Sequence, residues 1–197
     1  LSKEVSGSGT TEINGAVTFN ANVENSITIN GKRSLTSSAN YLGGTVSNSG
    51  TLTLTGNTLN NAVSGSGETV IDGTVTFNAN VANAITINSG KSLTSSANYI
   101  GGTVANNEKL TLTGGTLNNA VAGSGSTVIG NGYVLSNALI DNPINLSVAE
   151  SGLEISADNI GAGKAVTGVG NLYLTGGTLT TQGIGTQATG ENVKTHI

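Results

Sequence analysis

The chain repeats itself, and the length of the repeat limits what it can fold into. Moved by 58 positions, residues 7–64 fall on 65–122 without a gap, and 58 − 16 = 42 of the pairs are identical. VTFNANV at Val17–Val23 returns at Val75–Val81, SLTSSANY at Ser34–Tyr41 returns at Ser92–Tyr99, and LTLTG at Leu52–Gly56 returns at Leu110–Gly114. A closed domain has no reason to copy such a stretch; an open stack of like units does. A third copy has drifted. It keeps STVIG at Ser126–Gly130 and LYLTGGTL at Leu172–Leu179. Its late offset is 172 − 110 = 62, so about four residues are inserted, one near Gly130–Gly132 and the rest around Gly161–Val169. The opening LSKEVS parallels LNNAVS at Leu59–Ser64 and reads as the tail of an upstream copy. The organisation is therefore 1–6 (tail), 7–64 and 65–122 (close copies), 123–182 (drifted copy) and 183–197 (a further coil or linker), all one solenoid. The chain starts at Leu1 with no signal peptide and reads as a window on a longer array.

Within the repeat the period is two. Val17 to Val23 alternates apolar and polar residues, as do Ile27-Thr28-Ile29 and Leu52-Thr53-Leu54. That alternation predicts strands with one buried and one wet face. Turn signals separate them, among them Asn14-Gly15, Gly43-Gly44 and Gly65-Ser66-Gly67. Gly 30, Thr 28, Asn 26 and Ser 21 make 105 of 197 residues, which leaves too little Ala, Leu, Glu and Lys for a helical bundle. Divided by three, the repeat gives pieces of about 19, namely 7–26, 27–44 and 45–64. Coils of about 19–20 residues suit a right-handed, single-stranded parallel β-helix (a β-solenoid) of about ten coils. An antiparallel sandwich shares many of these cues and is the alternative. The predicted interior is Ile13, Val17, Phe19, Val23, Ile27, Ile29, Leu35, Val46, Leu52, Leu54, Leu59 and Val63, with their partners 58 later. Asn60-Asn61 and Asn118-Asn119 are candidates for amide ladders at turns.

The segments ANYLGGTVSNSGTLTLTG (Ala39–Gly56) and ANYIGGTVANNEKLTLTG (Ala97–Gly114) resemble the autotransporter-associated β-strand repeat. Tyr41, Gly43, Gly44, Thr45, Gly50, Thr51, Leu52 and Leu54 carry the resemblance, with Tyr99, Gly101, Gly102, Thr103, Leu110 and Leu112 in the second copy. Glu108-Lys109 departs from it, and the third copy has Gly161-Ala162-Gly163 without the tyrosine. The resemblance implies a passenger of a bacterial type V secreted protein. Such a passenger is a long β-helix on the cell surface or released from it, attached to an outer-membrane β-barrel outside this segment. It would act in adhesion or self-association. The partners implied are a host-cell or matrix protein, a glycan, or another copy of the chain.

Chemistry has little footing in the sequence. Seven Lys and Arg scattered over 197 residues make no nucleic-acid patch. No apolar run reaches the length of a membrane helix. Absence of Cys removes disulfides, thiolate metal sites and cysteine nucleophiles. The only His, His196, lies one residue from the end and outside the repeats, where no catalytic triad would be held. No calcium-loop pattern is present, and Gly123-Ser124-Gly125 lacks the Gly-Lys-Ser/Thr of a phosphate loop. The expectation is a non-enzyme with no catalytic or metal residues and no cofactor. Glu150, Glu154 and Asp158 lie four apart and would share one face of a strand, but Gly152 interrupts it and no aromatic cluster supplies a sugar platform. Loops that break an array are where binding concentrates. The drifted copy therefore supplies the candidate binding residues Asp141, Asn142, Glu150, Glu154 and Asp158. Two other readings stay open. Thr51-x-Thr53-x-Thr55 and Thr74-x-Thr76 are material for an ice-binding face, and the other alternative is a secreted β-helix that binds or degrades polysaccharide.

Overall fold

The computed structural model describes residues 1–180, 183–184 and 193–197. Of the tail 183–197, residues 185–192 lie outside the described residues, as do 181 and 182 at the end of the third copy. The chain is an all-β solenoid of about nine turns with parallel stacked sheets. Strand pairs are parallel and in register, as in Val17 on Leu35 on Leu52, so the sandwich alternative falls.

Each turn lays one short rung on each of three faces. The first face starts as a four-stranded sheet from Thr10–Ile13 to Val63–Ser64. Bridges from Val63 to Val81 and from Val81 to Ile100 carry it on, and it resumes as a five-stranded sheet from Gly115–Leu117 to Lys194–His196. The second face is an eight-stranded sheet from Ala16–Phe19 to Ile140–Asp141. The third opens with the bridges Val5–Val23–Leu42 and continues as a seven-stranded sheet from Asn57–Leu59 to Val166–Gly168.

The repeat is not a whole number of turns. The first copy carries ten rungs: eight strands between Thr10 and Ser64, the Val23 bridge, and the 3₁₀ turn Ala39–Tyr41 with Leu42. At three rungs to the turn this is three turns and one third, so each copy begins one face further round. Thr10–Ile13 lies on the first face, its counterpart Glu68–Ile71 on the second, and Ser126–Ile129 on the third. The division of the repeat into three equal coils therefore does not hold. Ladder partners are 16 residues apart from Thr10 to Ser26, 17 from Ser34 to Thr51 and 19 from Ile27 to Val46. The insertions of the third copy widen one coil to 22, from Ile144 to Val166.

Every predicted core position is buried except Val17, which is half-buried in the first full turn. The interior also holds a polar seam. Thr69 donates to Asn83 and Thr127 to Asn142, at 3.2 and 3.1 Å, and the half-buried Thr11 makes the same bond to Asn25 at 2.8 Å near the first coil. Asn48 and Asn106 are fully buried, and their amides cap Glu68 and Ser126 carbonyls in the next coil. Among the described residues no buried side-chain N or O lacks a partner, which is what makes such a seam tolerable inside a core. The asparagine pairs expected to form inward ladders lie on the surface side of their turns, with Asn60, Asn78, Asn118 and Asn137 exposed. Asn78 donates to Asn60 and Asn137 to Asn118, while Asn61 and Asn119 cap the Leu42 and Ile100 carbonyls.

The Gly-Gly of the repeat has a packing cause. A Cβ at Gly44 would lie 2.3 Å from the Asn25 carbonyl oxygen, and one at Gly102 would lie 2.0 Å from that of Asn83. The third copy carries Ala162 at the corresponding place, in the coil that the insertion has widened.

Candidate functional site

Outward positions of the two close copies form columns of small hydroxyls. Thr18, Thr36 and Thr53 stack on the second face. Thr58, Thr76, Thr94 and Thr111 stack on the third. In the third copy the same column has moved to the first face and changed its chemistry. It reads Leu135, Glu154, Tyr173 and then His196. Leu135 stands where the second copy has Thr76, Glu154 where it has Thr94, and Tyr173 where it has Thr111. In the neighbouring column Tyr133 replaces Thr74.

These side chains meet. The Tyr133 and Tyr173 rings are 5.9 Å apart and tilted by 55°, and Tyr173 stacks on His196 at 4.6 Å and 14°. The Tyr133 hydroxyl donates to Oε2 of Glu154. Loss of water around that hydroxyl, with the adjoining carboxylate, pushes the tyrosine up to about 12 from its usual 10. The backbone makes room for the ring. A Cβ at Gly152 would lie 2.7 Å from the Tyr133 ring, so only glycine lets the ring rest on the next coil. Tyr133 still keeps 48% of its surface exposed.

The predicted binding residues are dispersed. Glu154, in the strand Gly152–Ile155, is in the strip. Asn142 is fully buried; its amide serves the Gly123 carbonyl, and its side-chain oxygen accepts from Thr127. It cannot meet a ligand. Asp141 is on the second face, 3.6 Å from the Lys164 ammonium. Asp158 belongs to the 3₁₀ turn Ala157–Asn159, and its carboxylate accepts the Thr178 amide at 2.9 Å. Asn98 does the same for Thr116 in the second copy, so Asp158 is a turn residue. Glu150 is exposed in the turn ahead of Gly152. The three acids spaced four apart thus share no face, because a coil corner intervenes between Glu154 and Asp158.

Gly152 keeps Glu150 and Glu154 off a common strand, as expected, but it does so by beginning the strand Gly152–Ile155 and seating a ring. Two sequence expectations are corrected here. His196 is not a loose end, since it pairs with Tyr173 in the strand Lys194–His196. An aromatic cluster does exist, built from residues 40 and 23 positions apart that only the coil brings together (173 − 133 and 196 − 173). Its signal lay in the alignment of the copies, where TVTF becomes YVLS and LTLTG becomes LYLTG.

Among the described residues no group of three or more His, Asp and Glu is placed to hold a metal ion. No helix there is long and apolar enough to cross a membrane. Fold and site together define a three-faced parallel β-solenoid with an aromatic and carboxylate strip on one face. Comparison of the chain with protein-family models, with curated proteins and with solved structures finds no match.

Proposed function

We propose that this chain is a segment of a bacterial surface-displayed or secreted passenger, a non-catalytic rod serving as adhesin or structural stalk. The observation that carries this reading is the advance of one face per repeat. Had the repeat been a whole number of turns, every irregularity would recur on one face and bend the rod to one side. Rotation by a third distributes each irregularity over three faces, which favours a straight, extended scaffold. The tyrosine, Gly-Gly and leucine positions that resemble the autotransporter-associated repeat fall on rungs and turns of this scaffold. The export route through an outer-membrane barrel rests on that resemblance. The non-catalytic part rests on the acids, of which Asp141 is engaged by Lys164, Asp158 by a backbone amide and Glu154 by Tyr133.

The test is display. Fused upstream of an outer-membrane barrel in a non-adherent host, the chain is expected to reach the surface, become accessible to protease on intact cells, and confer adhesion or clumping. Retention inside the cell contradicts export. Display without adhesion or clumping leaves only the stalk.

The threonine columns favour one second reading. Four in-register threonines on the third face resemble the repeating hydroxyl array of an ice-binding surface. The one-third advance works against it, because the column passes to another face in each copy and spans only about 14 Å on any of them. Thermal hysteresis by the purified chain decides the point.

A further inference from the structure

The strip on the first face has no role in holding the rod straight, and its counterparts in the close copies are threonines. We propose that Tyr133, Leu135, Glu154, Tyr173 and His196 form a binding site for a short run of neutral pyranose rings. This rests on the reading of the rod as a binding scaffold, and not on its route of export.

The chemistry of the strip selects the ligand. The strands that carry Tyr133, Glu154 and Tyr173 are each paired on both sides, and of the strip's strands only Lys194–His196 ends the sheet among the described residues. Under the tyrosines and Glu154 the backbone groups are spent, so a peptide cannot be held there by adding a strand. A ligand must be gripped by side chains alone. Tyr133 lies over Gly152 with half its surface open, which offers a ring to the C–H face of a sugar. Glu154 is an acceptor whose orientation Tyr133 already fixes through Oε2, and Oε1 has no protein partner among the described residues. A fixed acceptor beside an exposed ring suits hydroxyl groups. Its charge disfavours an anionic sugar. The rings lean together across their strands, with successive centroids 5.9 and 4.6 Å apart, so the strip is about as long as two linked pyranose rings.

The experiment is calorimetric titration of the 197-residue chain with the β-1,4-linked hexaoses of glucose, mannose and N-acetylglucosamine. At least one is expected to bind with Kd between about 10 µM and 1 mM. Tyr133→Ala and Tyr173→Ala should each weaken it about tenfold. Glu154→Gln should weaken it about threefold or more, while Tyr173→Phe keeps most of the affinity. Thr111→Ala, at the matching column position of the second copy, serves as control and leaves it unchanged. Melting temperatures of all variants are followed so that lost binding is not mistaken for lost fold. Should Tyr173→Ala unfold the last coils, Glu154→Gln and Tyr173→Phe still read the site. Failure of every hexaose to bind overturns the proposal, as does binding untouched by these substitutions. Displayed cells that still adhere in that case would leave the adhesin reading standing, with its contact elsewhere.

Discussion

Single residues in this chain are constrained by the neighbouring coil more than by their own strand. The turn at 31–33 against 89–91 is an exception, set by its own backbone, since a Cβ at Gly90 would meet nothing within 4 Å. Lys32 has φ 63 and its counterpart Gly90 has φ 74, so one left-handed position is filled by a strained side chain in one copy and by glycine in the other. Lys32→Gly is expected to stabilise the chain by about 1 kcal/mol in urea unfolding. The paired glycines give a sharper contrast. Gly102→Ala drives a methyl into the Asn83 carbonyl and should cost about 1–3 kcal/mol, whereas a Cβ at Gly15 meets nothing within 4 Å, so Gly15→Ala should be close to neutral. Equal melting temperatures for the two variants would contradict this packing. Inside the seam, Asn106→Ala strands the Ser126 carbonyl and the Glu108 amide. The expected loss is about 2 kcal/mol or more, read by the same unfolding curve.

At the level of elements, alternation of residues was enough to find the strands and their inward sides, since Leu52 and Leu54, or Ile85 and Ile87, can face only one way. The buried Thr-Asn pairs were not legible. Thr69 and Asn83 are polar residues at places where polarity usually marks the surface, and only the coil closes the 14 residues between them into a hydrogen bond. The aromatic strip escaped for a similar reason, being assembled across three successive coil-to-coil steps of the first face. That strip makes its own prediction about pH. Tyr133 titrates above its ordinary value, so the phenol stays protonated and its contact with Glu154 contributes fully below pH 10. The contribution is lost as pH rises through about 12. Removing the carboxylate should bring the titration back down. The check is the ultraviolet difference between chains with and without Tyr133→Phe, recorded in wild-type and Glu154→Gln backgrounds. An unchanged midpoint would show that Glu154 does not hold the hydroxyl.

For the whole molecule, the repeat announced a solenoid but concealed its pitch. Fifty-eight splits into three pieces of about 19 residues, and nothing in the letters shows that ten rungs share three faces. The consequence is a screw. Equivalent surfaces recur about 16 Å along the axis and a third of a turn round it, and return to one face only after three copies, about 48 Å. Any ligand that reads a repeated surface would meet it on all sides of the rod. The drifted strip, by contrast, is presented once.

The screw is tested most directly by two pairs of spin labels on cysteines, which the chain otherwise lacks. Thr36 and Thr86 are 86 − 36 = 50 residues apart, yet share the second face three rungs apart through Thr53 and Val70. Thr36 and Thr94 are 94 − 36 = 58 apart and sit on different faces. An advance of one face per copy predicts strong dipolar broadening for the first pair, at about 14 Å. It predicts little for the second, which is separated both along the axis and across the core. The reverse order, with the 58-residue pair close and the 50-residue pair far, would mean that the repeat is a whole number of turns and that the screw is wrong.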